Sequence, residues 1–172
     1  PQVVQRGFRG GSPALGSWDA GSTLRQRDGD QYYAKYVLPA RQNGNEYTYT
    51  FSGQSNEDGW VGLGLHMLAS NSETANGYGF GRSYLVWLTR DPKNQTDNTY
   101  VQLYQSFDDV RMVQIASAAI PFDVADGVEV AVHVNRRNRE LGVFVDGNYA
   151  FTYPLEGRVM SGSSVALRAL GS

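Results

Sequence analysis

Between Val128 and Tyr153 the chain reads VEVAVHVNRRNRELGVFVDGNYAFTY, and no other stretch limits the fold as tightly. Val128, Val130, Val132 and Val134 fall on every second position, and Leu141, Val143 and Val145 repeat the pattern after a polar turn. A period of two lines these side chains along one face of extended strands, whereas a helix would scatter them around its circumference. Asp146-Gly147 then supplies a tight hairpin turn into a third run, NYAFTY. Three antiparallel strands with one apolar face follow, and that face needs a second layer to cover it.

Comparable runs recur along the chain: QYYAKYVL (31–38), EYTYTF (46–51), WVGLGLHML (60–68), SYLVWLT (83–89), TYVQLYQ (99–105), RMVQIAS (111–117) and SVALRAL (164–170). Turn-forming clusters such as RDPKNQTDN separate them, and no amphipathic helical pattern intervenes. The 20 glycines and 11 tyrosines agree, since aromatic residues favour strands and glycines favour tight turns. About ten strands predict an all-β fold, a two-sheet antiparallel β-sandwich of jelly-roll type. Residues 1–27, rich in Gly, Ser and Arg, lack the alternation. They are expected to form an irregular N-terminal arm packing on a single sandwich domain of residues 28–172. The valine-rich hairpin ending in Val145-Asp146-Gly147 resembles the concanavalin A-like, laminin G-like β-sandwich superfamily, where such a hairpin is common. The resemblance spans about a quarter of the chain, and what it implies is a fold.

A net charge of −2 and a pI near 5.6 argue against nucleic acid as a partner, because phosphate binding needs a broad positive field. No apolar run reaches the roughly 18 residues that a membrane span needs. With no cysteine there is no disulfide, thiolate metal site or cysteine nucleophile. The chain starts at Pro1 without a methionine, as expected of a processed precursor or a trimmed chain. The expected location is secreted, periplasmic or at a bacterial cell surface, although absence of cysteine suits the cytosol equally.

Several features invite a chemical reading. GYGFG (77–81) precedes a strand, whereas a phosphate loop must open a helix; its glycines are expected to shape the entry into the sheet. His66 and His133 are the only histidines, too few for a zinc cluster, and no GxSxG elbow accompanies them. Glycoside hydrolases of the resembled superfamily would need two facing carboxylates; Glu46 and Glu129, both on polar strand phases, are the pair to consider. Asp28 and Asp30 offer hard oxygen ligands for a structural Ca²⁺ beside the first run. Arg136, Arg137 and Arg139 form a hairpin tip open to an anionic partner.

The strongest lead is strand phase. If Val61, Leu63, Leu65 and Met67 face the core, then Trp60, Gly62, Gly64, His66 and Leu68 face away, with the two glycines forming a trough. By the same logic Leu85 and Trp87, then Tyr100, Gln102 and Tyr104, join that outer face. Flat rings complement the C–H faces of sugars, and polar side chains orient hydroxyls. The expected ligand residues are therefore Trp60, His66, Tyr78, Arg82, Trp87, Tyr100, Gln102 and Tyr104. Carbohydrate-binding modules of the resembled superfamily often place ligand on such a face, which implies a non-catalytic carbohydrate-binding, lectin-like module without a catalytic residue. A structural or adhesive protein-binding domain and a glycoside hydrolase or lyase are the alternatives. Against an open groove stands the arm, whose Phe8 and Trp18 could cover the aromatics.

Overall fold

The computed structural model describes residues 10–39, 42–55, 59–73, 77–90, 99–156 and 161–170. Thirteen strands lie among them. The first four are β1 (Ser12–Leu15), β2 (Trp18–Ala20), β3 (Leu24–Gln26) and β4 (Ala34–Leu38). Then come β5 (Glu46–Gly53), β6 (Val61–Ser70), β7 (Arg82–Arg90), β8 (Thr99–Ser106) and β9 (Met112–Ile120). The last four are β10 (Val128–Asn135), β11 (Glu140–Val145), β12 (Asn148–Pro154) and β13 (Ser164–Leu170). Seven strands form one sheet in the order β1-β4-β13-β6-β7-β8-β9, and four form a second in the order β12-β11-β10-β5. All pairings are antiparallel. The fold is the two-sheet β-sandwich that the alternating runs predict.

The valine hairpin builds one side of the core. Val130 pairs with Val145, Val132 with Val143 and Val134 with Leu141, and all six side chains are buried. They meet Leu65, Met67, Val86, Leu88, Val101 and Leu103 from the seven-stranded sheet in one cluster. Each such side chain contributes about 1.5–3 kcal/mol when fully buried, so the interlocked rows dominate the stability of the sandwich. At the hairpin turn Asp146 and Gly147 both have positive φ, 45° and 79°, as the Asp-Gly signal requires.

Two expectations need correction. The arm is not irregular throughout: residues 12–26 contain three short strands, and β1 extends the large sheet by pairing with β4. Strands of three or four residues are too short to display a period, which is why the sequence hides them. Trp18 packs against the sandwich core beside Tyr36, with ring centroids 5.7 Å apart, rather than over the outer aromatic face. Phe8 lies outside the described residues. The second correction is Leu68. It has φ 55° at a register shift between Met67 and Ser70, and this bulge turns it into the core, away from the row of His66.

Candidate functional site

Directly paired residues of an antiparallel sheet share a face, so the register defines the outer surface of the large sheet. One cross-strand row runs Lys35–Arg168–Gly64–Trp87–Gln102–Ser117. The next runs Val37–Ala166–His66–Leu85–Tyr104–Gln114, and a third contains Leu170, Gly62, Thr89 and Tyr100. The expected residues His66, Trp87, Tyr100, Gln102 and Tyr104 therefore do sit on one face. They differ sharply in depth.

Trp87 is only 6% exposed because the glycine trough holds its own indole. A Cβ on Gly62 would stand 2.0 Å from Trp87 Cζ2, and one on Gly64 would stand 2.1 Å from the Val86 carbonyl oxygen. The two glycines thus make room for a tryptophan of the same sheet. His66 has no exposed surface; its Nδ1 lies 2.9 Å from Ser83 Oγ, its ring packs on Phe80, and Nε2 has no partner. Burial, reinforced by the charges of Arg168 and Lys35, pushes its pKa well below the ordinary histidine value, so the ring is neutral. Tyr100, Gln102 and Tyr104 are half-buried, and the Tyr104 hydroxyl lies 3.0 Å from Gln102 Oε1.

Over this face lies a cavity of about 340 Å³. Its floor is Leu85, Trp87, Arg168 and Leu170, its walls are Tyr32, Tyr33, Trp60 and Tyr78, and Tyr104 and Met112 close the far side. A second depression of about 500 Å³ shares Tyr78, Tyr104 and Met112 and continues past Phe107, Val110 and Val113. Trp60 and Tyr78 are 44% and 53% exposed, so they present ring surface to anything entering. Arg82 is exposed at the start of β7 and borders neither hollow.

Arg168, Lys35, Tyr32, Tyr33 and Met112 escaped the sequence reading. A signal existed, since Arg168 and Lys35 are single charges within the apolar runs SVALRAL and YYAKYVL. Arg168 sits among three rings, 5.1 Å from the centroid of Trp87, 5.7 Å from Tyr33 and 6.0 Å from Tyr78. Burial lowers its pKa to about 10, partly opposed by Tyr33, Tyr104 and Tyr78, so it stays protonated at neutral pH. Lys35 is fully buried; burial first and Arg168 second bring its pKa down to about 7, with Asp109 pulling upward.

These two cations also build the wall. Lys35 Nζ donates to the Gly77 carbonyl at 2.6 Å, and Arg168 Nη1 donates to the Tyr78 carbonyl at 2.7 Å. From the other side Asp109 accepts from Gly81 N–H at 2.7 Å, Glu73 N–H at 2.7 Å and Ser72 Oγ–H at 3.0 Å. Gly77 and Gly79 allow close approach, since a Cβ would stand 2.1 Å from the Asp109 oxygen and 1.9 Å from the Asp108 oxygen. The GYGFG loop is thus fixed in place with the exposed Tyr78 at the cavity mouth.

Other candidate features lie elsewhere. Glu46 and Glu129 stand at opposite ends of the β5–β10 ladder, opposite Asn135 and Ser52. Six residues of strand separate them, roughly 20 Å, too far for a hydrolytic pair. Glu46 instead meets His133 Nε2 at 3.1 Å. No carboxylate lines either hollow among the described residues. Asp28 belongs to a turn in which its carbonyl accepts from Gln26 Nε2 and Gln31 N–H. Among the described residues no three His, Cys, Asp or Glu side chains gather as a metal site, around Asp28 and Asp30 or elsewhere. Arg136 is no free tip, since its guanidinium donates to the Gln42 and Gly162 carbonyls, while Arg137 and Arg139 are exposed. No helix is long and apolar enough to cross a membrane among the described residues.

No protein-family model matches the chain, and no curated protein matches it in sequence. Solved structures do resemble it. A carbohydrate-binding module, CBM66, from Bacillus subtilis superposes with a TM-score of 0.69 at 15% identity, covering 98% of this chain and 95% of that one. Sheep galectin-11 in complex with glycerol gives 0.52 at 10% identity over 81% and 91% of the two chains. The kappa-carrageenase from Pseudoalteromonas carrageenovora, bound to an oligotetrasaccharide of kappa-carrageenan, gives 0.51 at 12% identity over 79% of this chain and 54% of that one. At these identities the likeness establishes a shared β-sandwich fold.

Proposed function

We propose that this chain is a non-catalytic carbohydrate-binding module that takes a saccharide against the aromatic cavity on the outer face of its seven-stranded sheet. One observation carries the reading: a cavity of about 340 Å³ floored by Trp87 and Arg168 and walled by Tyr33, Trp60 and Tyr78. Its size falls at the small end of ligand sites, about 300–1,000 Å³, and suits one sugar ring, with the adjoining depression taking a neighbour. Exposed indole and phenol faces at Trp60 and Tyr78 complement sugar C–H surfaces, and tyrosine hydroxyls supply oriented hydrogen bonds. The carbohydrate-binding module and galectin among the structural neighbours support the same assignment. A partner presented outside the cell, on a wall or in secreted polysaccharide, is in keeping with it.

A glycan-binding screen of the protein beside the double variant Trp60→Ala/Tyr78→Ala tests the proposal. Both side chains are exposed enough that their loss leaves the fold intact, whereas changing Trp87 would disturb the sheet itself. Saccharide binding that weakens at least about tenfold in the variant supports the reading, since stacked rings give on the order of 1–2 kcal/mol. Binding left unchanged in the variant, or no glycan bound by the parent, refutes it.

A further inference from the structure

The proposed sugar site contains a guanidinium, that of Arg168, which no carboxylate offsets among the described residues. Arg168 is 5% exposed and borders the cavity, yet its contacts are the Tyr78 carbonyl, the Met112 sulfur at 3.7 Å and three aromatic rings. Its Nε has no acceptor, and among the described residues none of the ion pairs includes it. A guanidinium taken out of water normally keeps an anion beside it, because ring faces and one carbonyl recover only part of its lost hydration. Lys35 is its cross-strand neighbour and buried too, and with a pKa of about 7 it brings no negative charge to offset Arg168. Burial chiefly, and the charge of Arg168 after it, hold the pKa values of Lys35 and His66 below their ordinary values. The chain as a whole is acidic, at −2, so the effect is local to the cavity and is no general affinity for polyanions.

We propose that the cavity selects an acidic saccharide, with the sugar ring held between Trp60 and Tyr78 and its oxyanion directed to the guanidinium of Arg168. This rests on the carbohydrate reading above and narrows it to a ligand class. Guanidinium groups bind carboxylate and sulfate through the same charge-assisted N–H···O geometry, so the shared requirement is an oxyanion on the ring. The aromatic surround sharpens the preference, since a charge held in low-dielectric surroundings interacts far more strongly than one in water.

Calorimetry with the intact protein and two matched ligand pairs tests this. The first pair is oligogalacturonate and its methyl ester; the second is a sulfated galactan oligosaccharide and its desulfated form. The charged member of at least one pair is expected to bind about tenfold or more tightly than its neutral partner, with an advantage that shrinks as salt rises. Which pair shows the advantage identifies the oxyanion as carboxylate or sulfate. In Arg168→Gln the charged-to-neutral ratio is expected to fall to about one, even if loss of its bond to the Tyr78 carbonyl weakens both members of a pair together; a purely structural role for Arg168 would weaken both and leave the ratio unchanged. Should that variant fail to fold, the comparison within each pair on the parent protein decides the matter alone. Equal binding of charged and neutral members, or preference for the neutral ones, overturns the acidic-ligand inference and leaves the carbohydrate reading standing. Binding of none of the four, together with a blank glycan screen, overturns both.

Discussion

Lys35 offers a quantitative test of how the outer face is assembled, because its burial makes stability depend on pH in a calculable direction. The side chain is fully buried, and its pKa falls from 10.5 to about 7, chiefly through burial and then through the charge of Arg168. Between those two values the unfolded chain holds a proton that the native one has released, so stability rises with pH from about 7 to about 10.5 and is lowest below 7. At 1.36 kcal/mol per pKa unit the full difference is about 5 kcal/mol, and relaxation with water entry brings the realised value nearer 2–3 kcal/mol. Lys35→Met removes that penalty but leaves the Gly77 carbonyl without this donor, a loss of about 1–2 kcal/mol. The variant should therefore be more stable than the parent by about 1 kcal/mol at pH 6 and less stable by about 1–2 kcal/mol at pH 10. Urea denaturation of both proteins at pH 6, 8 and 10 reads the difference directly, and titration of the tyrosines cancels in the comparison. A stability difference that stays constant across this range would refute the reasoning.

Three further outcomes follow from the same contacts. Gly79→Ala sets a methyl group 1.9 Å from the Asp108 carbonyl and should cost about 2–4 kcal/mol, read as a lower urea midpoint; a neutral result means the loop is not packed this closely. Asp109→Ala removes the acceptor for Ser72, Glu73 and Gly81 and should cost about 2–4 kcal/mol, with faster amide exchange over residues 77–81; unchanged exchange there would show that the carboxylate does not hold the wall. Trp87→Ala empties the trough over Gly62 and Gly64 and should cost about 3–5 kcal/mol in chemical denaturation; a loss under about 1 kcal/mol would contradict its buried placement.

The sandwich was legible because its signal is local. Rows such as Val128 to Val134 and Tyr47 to Phe51 carry a period of two that no tertiary contact can disguise, and both rows point to the core. The shared outer face of Trp87, Gln102 and Tyr104 was legible for the same reason, once β6, β7 and β8 proved to be neighbours. Depth was not legible. His66 has the same phase as Tyr104, yet Phe80 from the GYGFG loop packs on it and closes it from solvent, and a loop contact leaves no period. Arg168 was missed because β13 lies between β4 and β6 only through long-range pairing, which brings it beside Gly64 and Trp87 from about a hundred and about eighty residues away. Tyr32 and Tyr33 were read as strand, but they precede β4 in a turn and stand as cavity walls.

The depth of each aromatic then decides what it can do for a ligand. Trp87 spends its ring on two glycines and on the guanidinium of Arg168, so its contribution is to hold that cation at the cavity floor. Tyr33 and Tyr78 pack on each other at 4.7 Å, and both also approach the guanidinium. Of that trio only Tyr78 is largely exposed, and Trp60, which reaches Tyr32 at 6.2 Å, is exposed as well. Under the proposed function, stacking would fall to the exposed rings, Trp60 and Tyr78 with Tyr32 beside them, and charge recognition to the floor beneath. The glycines of GYGFG connect the two roles: by letting the loop backbone press against Asp108 and Asp109, they place the Gly77 and Tyr78 carbonyls where the buried cations donate. A loop that resembles a phosphate cradle in sequence thus serves here as the hydrogen-bonded rim of a cationic, aromatic cavity.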